Sequence, residues 1–150
     1  MQICRKEFLH WKESKPTFQR INFCCMKRKF MFLLLLSSYS ISAQLTITQG
    51  AQLSIFSDTK LTLQNIDLIN NGNFLAATTS PVSFTGNASS FIGGNQVVRF
   101  FKLEINKTGN QSVSLQKTIG AGSNVFFTSG FLNLNGFDLN LETTGRLDGE

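Results

Sequence analysis

The stretch GFLNLNGFDLNLETTGRLDGE, residues 130–150, decides the fold. Apolar residues alternate with polar ones up to Leu134, the alternation slips by one residue at Asn135-Gly136, and it resumes at Phe137. In a flat strand, such a slip would place the later apolar residues on the opposite face of the sheet from the earlier ones. A turn at Gly136 removes this conflict, because it lets the apolar residues on both sides of the slip point to the same interior.

Two kinds of turn would do this. A solenoid corner, with Asn or Gly at positive φ, gives a parallel β-helix. A two-residue type I′ hairpin, for which Asn-Gly is the strongest short signal, gives an antiparallel β-sandwich. The solenoid is favoured by a recurring unit in which a glycine precedes renewed alternation, at Gly50, Gly72, Gly130 and Gly145. A unit of roughly 20 residues is typical of solenoid rungs, so residues 44–150 would supply about five of them.

The rest of residues 44–150 also predicts strands. Short segments of alternating apolar and polar residues, from LTI (45–47) to FDLNL (137–141), are separated by clusters of Gly, Asn, Ser and Thr. The segments KLTLQNIDLI (60–69) and QVVRFFKLEI (96–105) each have the pattern of one continuous strand. We therefore predict an all-β β-solenoid, with an antiparallel β-sandwich as the alternative.

Charge and reactive side chains divide the chain at residue 44. The first 43 residues hold eight basic and two acidic residues, whereas the remainder holds six basic and seven acidic residues. The basic excess therefore lies outside the predicted fold and does not indicate nucleic-acid binding. Every Cys, His, Trp, Tyr and Met also precedes residue 44, so the repeat region offers no disulfide and no thiolate or imidazole metal site.

A secretory signal peptide is predicted over residues 26–43. Lys27 to Lys29 form a basic n-region, Phe30–Leu36 an apolar core, and Ala43 and Gln44 flank the expected cleavage point. The chain would then be secreted or displayed on the cell surface through the Sec pathway, contacting the membrane only transiently. Anchoring in the membrane by residues 30–42 is the alternative. Residues 1–25 are interpreted as a start-site artefact or an extended n-region.

The segment FKLEINKTGNQSVSLQKTIGAGSNVFFTSGFLNLNGFDLNLETTGRLDGE (101–150) resembles the Asn/Gly/Thr-rich repeats of large secreted Gram-negative surface proteins exported by the type IX system. The resemblance covers roughly residues 65–150. It implies a right-handed parallel β-helix outside the cell or on its surface. This chain is much shorter than members of that family and lacks their C-terminal sorting domain, so we expect the β-repeat region 44–150 to be C-terminally truncated.

Candidate ligand contacts are few. Asp138, Asn140 and Glu142 alternate with leucines and should share one outer face, where carboxylates could contact a sugar or Ca²⁺. In QVVRFFKLEI, continuous alternation places Phe100 and Lys102 outside, where the phenyl ring could stack on a sugar. We predict no catalytic residue, no metal ligand and no cofactor.

Asparagines and one glycine-rich segment are interpreted structurally. Seven asparagines are expected to form turns or amide ladders that link successive rungs: Asn65, Asn70, Asn71, Asn73, Asn133, Asn135 and Asn140. GAGSN (120–124) is expected to be a simple turn, because no Lys-Ser/Thr follows it as a phosphate loop requires.

The sequence therefore predicts a non-catalytic secreted or cell-surface segment with a structural or adhesin-like role. Its expected partners are extracellular or cell-surface polysaccharides or other surface proteins. Two alternatives are a fragment of a β-helical polysaccharide lyase or glycoside hydrolase, and a membrane-tethered protein with an uncleaved apolar segment.

Overall fold

The computed structural model describes residues 43–77 and 79–149. These residues form fifteen short β-strands and contain no helix. In chain order the strands are β1 (Ala43–Ile47), β2 (Gln52–Ile55), β3 (Leu61–Gln64), β4 (Ile66–Asn70), β5 (Asn73–Ala76), β6 (Pro81–Gly86), β7 (Ser90–Gly93), β8 (Val98–Phe100), β9 (Lys102–Lys107), β10 (Ser112–Leu115), β11 (Ile119–Ala121), β12 (Asn124–Ser129), β13 (Phe131–Asn133), β14 (Leu139–Leu141) and β15 (Arg146–Asp148).

Strands three apart in the chain stack in parallel and build three faces. Face 1 is β1-β4-β7-β10-β13, and face 3 is β3-β6-β9-β12-β15. Face 2 consists of the ladders β2-β5 and β8-β11-β14, with β5 and β8 adjacent. Each run of three strands is one rung, and five rungs follow one another along the chain. The predicted β-solenoid of about five rungs is therefore confirmed, and the antiparallel β-sandwich is wrong.

The register of the ladders aligns apolar residues from rung to rung. On face 3, Leu61, Val82, Leu103, Val125 and Leu147 occupy equivalent positions of rungs 1 to 5. The three middle members are fully buried. Burying a Val or Leu side chain stabilises a fold by roughly 1.5–3 kcal/mol. Each rung thus depends on the rungs above and below it for most of its stabilisation.

Phenylalanines fill the interior of the middle rungs. Phe100 is fully buried, and its ring makes edge-to-face contacts with Phe74, at 5.5 Å between ring centroids, and with Phe84, at 6.4 Å. The three rings come from faces 2 and 3 of rungs 2 and 3. Aromatic pairs in this geometry contribute about 0.5–1.5 kcal/mol beyond the apolar area that they bury.

The Asn135-Gly136 slip is a corner between faces 1 and 2. Asn135 has φ 50° and Gly136 has φ 81°, and the amide of Phe137 donates to the carbonyl of Leu134 at 2.9 Å. Both central residues thus have positive φ, as in a type I′ turn. The flanking strands β13 and β14 nevertheless pair with β10 and β11 of the preceding rung and not with each other.

The corner keeps Leu132 and Leu139 on its two sides pointing inward, whereas Leu134 and Phe137, which flank the turn itself, are exposed. Leu132 is in register with buried Val113, and Leu139 with buried Ile119. Leu141 is likewise in register with Ala121, which is fully buried, although Leu141 itself is 40% exposed. Among the described residues only rung 4 packs against rung 5, which accounts for this exposure.

Two predicted continuous strands are interrupted by corners. Asn65, at φ 56°, separates β3 from β4 within residues 60–69, and Phe101 separates β8 from β9 within residues 96–105. Strand β7 was not predicted, because SFIG (90–93) is short and surrounded by glycine, asparagine and serine. GAGSN is also not a simple turn, since Gly120 and Ala121 belong to β11.

The four glycines that suggested the repeat are not all equivalent. Gly50 and Gly72 do occupy the same corner, because a Cβ on Gly72 would lie 2.4 Å from the carbonyl oxygens of Ala51 and Thr48 in the rung below. Gly130, in contrast, precedes a face 1 strand, and Gly145 precedes a face 3 strand. The rung length is nevertheless close to the predicted one, since paired residues in neighbouring rungs are 19 to 24 positions apart.

Asparagines serve both predicted roles. Asn65 adopts a turn conformation and also donates from Nδ2 to Oδ1 of Asn87 in the corner one rung further along, at 3.1 Å. Oδ1 of Asn71 accepts from the backbone amide of Asn95 at 2.9 Å. These two bonds each join a corner to the equivalent corner of the next rung, in addition to the strand ladders.

The predicted signal peptide (26–43) and residues 1–25 lie outside the described residues, apart from Ala43. Ala43 and Gln44 lie in β1 and pair with Ile66 and Asp67 of β4, and cleavage between them stays a prediction. None of the described segments is a helix with the length and apolar character needed to span a membrane.

Candidate functional site

The predicted outer-face residues of rung 5 do share one side of the chain. Asp138 and Asn140 are exposed, and Glu142 is partly buried. The positions aligned with Asn140 in rungs 4 and 3 are Gly120 and Arg99. Face 2 therefore places a glycine and an arginine, and not a carboxylate, at the two positions below Asn140.

Phe100 is not the exposed aromatic residue that continuous alternation predicted. The corner at Phe101 resets the alternation, so Phe100 and Leu103 both point inward and are fully buried. A role for the Phe100 ring in stacking on a sugar is therefore wrong. Lys102 is partly exposed at the start of β9, in register with Pro81.

Arg99, which precedes the buried phenylalanine, reaches across two rungs. Its Nη2 donates to Oε2 of Glu142, and the side chains are 67% and 32% exposed, respectively. Between them lies rung 4, where the position aligned with Arg99 is Gly120. The side chains of Arg99 and Glu142 thus pass over the backbone of β11 and join rung 3 to rung 5.

A second ion pair on face 3 has the same form. Lys60 Nζ donates to Glu104 Oε2 at 2.6 Å across 44 residues, and Ser83 lies on the rung between them. This hydrogen bond lowers the pKa of Glu104, while burial of the carboxylate opposes the shift. Both pairs, hereafter the two-rung ion pairs, pass over a small residue that leaves room for the long side chains.

Gly120 and Gly122 are not required by the backbone geometry of the solenoid. A Cβ on Gly120 would lie 3.4 Å from Arg99 Cγ and 3.6 Å from Glu142 Oε1, and a Cβ on Gly122 would lie 3.5 Å from Glu142 Oε2 and from Phe101 Cδ2. These are ordinary van der Waals distances, and neither glycine has positive φ. An alanine would fit at either position. Gly120 lies within β11, where a glycine often marks a place at which a ligand can approach the backbone, and Gly122 lies directly after this strand.

The face 2 ion pair forms one wall of a pocket of about 470 Å³. Gly122, the half-buried Phe101 and Leu75 of β5, which is 47% exposed, also line the pocket. The turn that follows β14 contributes Thr143 and Thr144 to the lining. Apolar surface with a few fixed polar groups is the usual composition of a small-ligand site.

The turn beside the pocket is held by hydrogen bonds to rung 4. The hydroxyl of Thr144 donates to the carbonyl of Gly122 at 2.6 Å, and the amide of Glu142 donates to the carbonyl of Ala121 at 3.0 Å. Within the turn, the amide of Gly145 donates to the carbonyl of Glu142 at 2.8 Å. The carboxylate of Glu142 is therefore carried by an ordered backbone.

Lys107 is a buried cation at the corner between faces 3 and 1. Its ammonium donates to the carbonyls of Thr85 and Ala88 and to the hydroxyl of Ser90, each at 2.8 Å. Burial lowers the pKa of Lys107, and the nearby carboxylate of Asp67 partly offsets that shift. All three acceptors belong to the preceding corner, so Lys107 fastens one corner to the next.

Sequence reasoning identified Glu142 but missed Arg99, Gly120 and Gly122 as its neighbours, and it also missed Lys107. A usable signal was present: Arg99 and Glu142 are 43 residues apart, close to two rung lengths. No three His, Cys, Asp or Glu side chains within 43–77 and 79–149 are grouped as a metal site would require.

The described part of the chain is therefore a parallel β-solenoid that carries a shallow pocket with a mixed polar and apolar lining on one face. The chain matches no protein-family model, no curated protein and no solved structure.

Proposed function

We propose that the chain is a non-catalytic, secreted or cell-surface β-solenoid segment with a structural or adhesin-like role. The observation that carries this proposal is the parallel stack of five rungs, which is continuous on faces 1 and 3. In such a stack each rung packs mainly on its neighbours, so the architecture extends along one axis and presents an elongated surface. Stalks and binding scaffolds outside the cell need this geometry.

The arrangement of the carboxylates supports a non-catalytic role. Glycoside hydrolysis uses two carboxyl groups that flank the bond to be broken, about 5–10 Å apart. Here three outward carboxylates each pair with a basic side chain: Glu104 with Lys60, Glu142 with Arg99 and Asp148 with Arg146. The hydrogen bond from Lys60 lowers the pKa of Glu104, whereas the general acid of a glycosidase needs a raised pKa.

Export is supported by the three-part pattern of residues 26–43 and by the resemblance to surface proteins of the type IX system. The expected partners are extracellular or cell-surface polysaccharides or other surface proteins. The basic residues that would attract nucleic acid lie mostly before residue 44.

The test is to express the full chain with a C-terminal tag in a Gram-negative host and to fractionate the cells. We expect a processed protein outside the cytoplasm, with Gln44 as its first residue by N-terminal sequencing. A matched variant, Leu34→Arg, breaks the apolar core and should keep the chain unprocessed inside the cell. An unprocessed wild-type chain in the membrane fraction would support anchoring by residues 30–42, and an unprocessed cytoplasmic chain would refute export.

A further inference from the structure

We propose that the pocket beside the Arg99–Glu142 ion pair binds one sugar unit of a neutral polysaccharide. The inference deepens the proposed adhesin-like role and rests on it for access to extracellular glycans. It is argued from the side chains that meet at this pocket, which come from rungs 2, 3 and 5.

Arg99 and Glu142 together offer the hydrogen-bond donors and acceptors that two neighbouring sugar hydroxyls can pair with. An arginine guanidinium only donates hydrogen bonds, and an ionised carboxylate only accepts them. A pair of neighbouring sugar hydroxyls can do both at once. Because Arg99 and Glu142 already contact each other, their polar atoms are held side by side along the wall, and Thr143 and Thr144 add hydroxyls on the adjoining turn.

Phe101, Leu75 and Gly122, which also line the pocket, suit the apolar C–H face of a sugar ring. Phe101 presents a partly exposed ring, and Leu75 is 47% exposed although it lies on a strand. Gly122 contributes no side chain, so a flat ring can approach the backbone of rung 4. Alanine would fit sterically at this position, so the absence of a side chain there has no explanation in the packing of the chain itself.

Charge favours a neutral ligand over an acidic one. The guanidinium and the carboxylate cancel each other, and the lining contains no other ionisable side chain among the described residues. A uronate carboxylate would be attracted by Arg99 and repelled by Glu142 at the same site. A hydroxyl-rich neutral unit avoids that conflict.

Affinity electrophoresis of the purified full chain tests the proposal. The gels contain mannan, dextran, xylan, a mixed-linkage β-glucan or galactomannan, with alginate as the acidic comparison. We expect at least one neutral polysaccharide to slow the wild-type chain and alginate not to do so. Glu142→Gln should weaken that binding by about tenfold, since a neutral amide oxygen accepts a hydrogen bond from a sugar hydroxyl more weakly than a carboxylate does. Gly122→Ala should also weaken it, because it adds a methyl group to the lining of the pocket.

Glu104→Gln is the matched control, because Glu104 also belongs to a two-rung ion pair but does not line the pocket. This variant should bind like the wild type, and thermal unfolding should show that all the variants are folded. The inference is overturned if no neutral polysaccharide slows the wild-type chain, or if Glu104→Gln and Glu142→Gln weaken binding equally. Either result leaves the export experiment unaffected, so the two proposals fail separately.

Discussion

Replacing Lys107 by methionine should destabilise the solenoid more than any comparable change at a surface lysine. Methionine keeps most of the volume of the aliphatic stem but removes the ammonium, and with it the three hydrogen bonds of 2.8 Å to Thr85, Ala88 and Ser90. Lys107 lies at the corner between β9 and β10, and its acceptors lie around the preceding corner, between β6 and β7. The substitution therefore tests whether the corner depends on this buried cation.

The magnitude follows from the bonds and from the burial. A hydrogen bond to a charged group contributes about 1.5–3 kcal/mol, so three would give well over 4 kcal/mol if nothing opposed them. Burial of the ammonium opposes them, as the lowered pKa of Lys107 indicates. The carbonyl of Thr85 also keeps a bond from the amide of Asn65 at 3.0 Å. We expect a net loss of about 2–4 kcal/mol and a fall in Tm on the order of 10 °C.

The lowered pKa also predicts a pH dependence. Between the folded pKa of Lys107 and the unfolded value of about 10.4, the unfolded chain binds more protons than the folded chain. Stability rises with pH wherever that is so. The advantage of the wild type over Lys107→Met should therefore grow as the pH increases through the folded pKa towards about 10.4.

Urea unfolding followed by circular dichroism measures these differences, and Lys117→Met is the control. Lys117 makes a similar bond to the equivalent corner of the preceding rung, from Nζ to the carbonyl of Asn95 at 2.5 Å, but this bond is exposed. Its loss should cost less than about 0.5 kcal/mol, as for most surface changes. Equal losses for the two variants, or a Lys107→Met chain as stable as the wild type, would refute the role assigned to the buried ammonium.

Three further substitutions test other parts of the structure. The hydrogen bond from Lys60 lowers the pKa of Glu104, so this carboxylate should stabilise the wild type relative to Glu104→Gln. The difference in stability should be full above about pH 5 and should disappear as the pH falls through the folded pKa. Denaturation measured between pH 2 and 7 checks this expectation. Gly94→Ala should lower the free energy of unfolding in urea more than Gly109→Ala does. Both glycines have positive φ, but only at Gly94 would the new Cβ lie 2.3 Å from a carbonyl oxygen. Equal losses would contradict the observed corner. Phe100→Ala should lower stability by about 3–5 kcal/mol, and a loss below about 1 kcal/mol would mean that the ring is not in the core.

Much of the fold could be predicted because its sequence signal is repeated. Apolar residues at period two occur in every rung, and positive φ at Asn135-Gly136 was predictable from residue type. The corners at Asn65 and Phe101 were missed for a different reason. At Phe101 the apolar pattern runs through the corner without a glycine or proline, so nothing local separates two short strands from one long strand. At Asn65 the alternation does slip by one residue, between Leu63 and Ile66, but no glycine or proline marks the slip.

The candidate site was harder to predict, because it depends on the register and not on the pattern. Moving the corner at Phe101 by one residue would exchange the inner and outer faces and send Arg99 into the core in place of Phe100. Glu142 was identified from alternation within its own rung, but its partner lies 43 residues earlier. Finding that partner requires the lengths of two rungs, and these lengths vary from 19 to 24 residues across the ladders. When the position of the partner is uncertain by a few residues, the candidate positions include side chains on both faces of the strand. Alternation alone therefore cannot select Arg99 over its neighbours.

The useful additional constraint is steric: a two-rung ion pair needs a small residue beneath it, as Gly120 and Ser83 provide. In solenoid sequences, pairs of opposite charge about two rungs apart, with glycine or serine midway between them, therefore indicate the register as well as the contact.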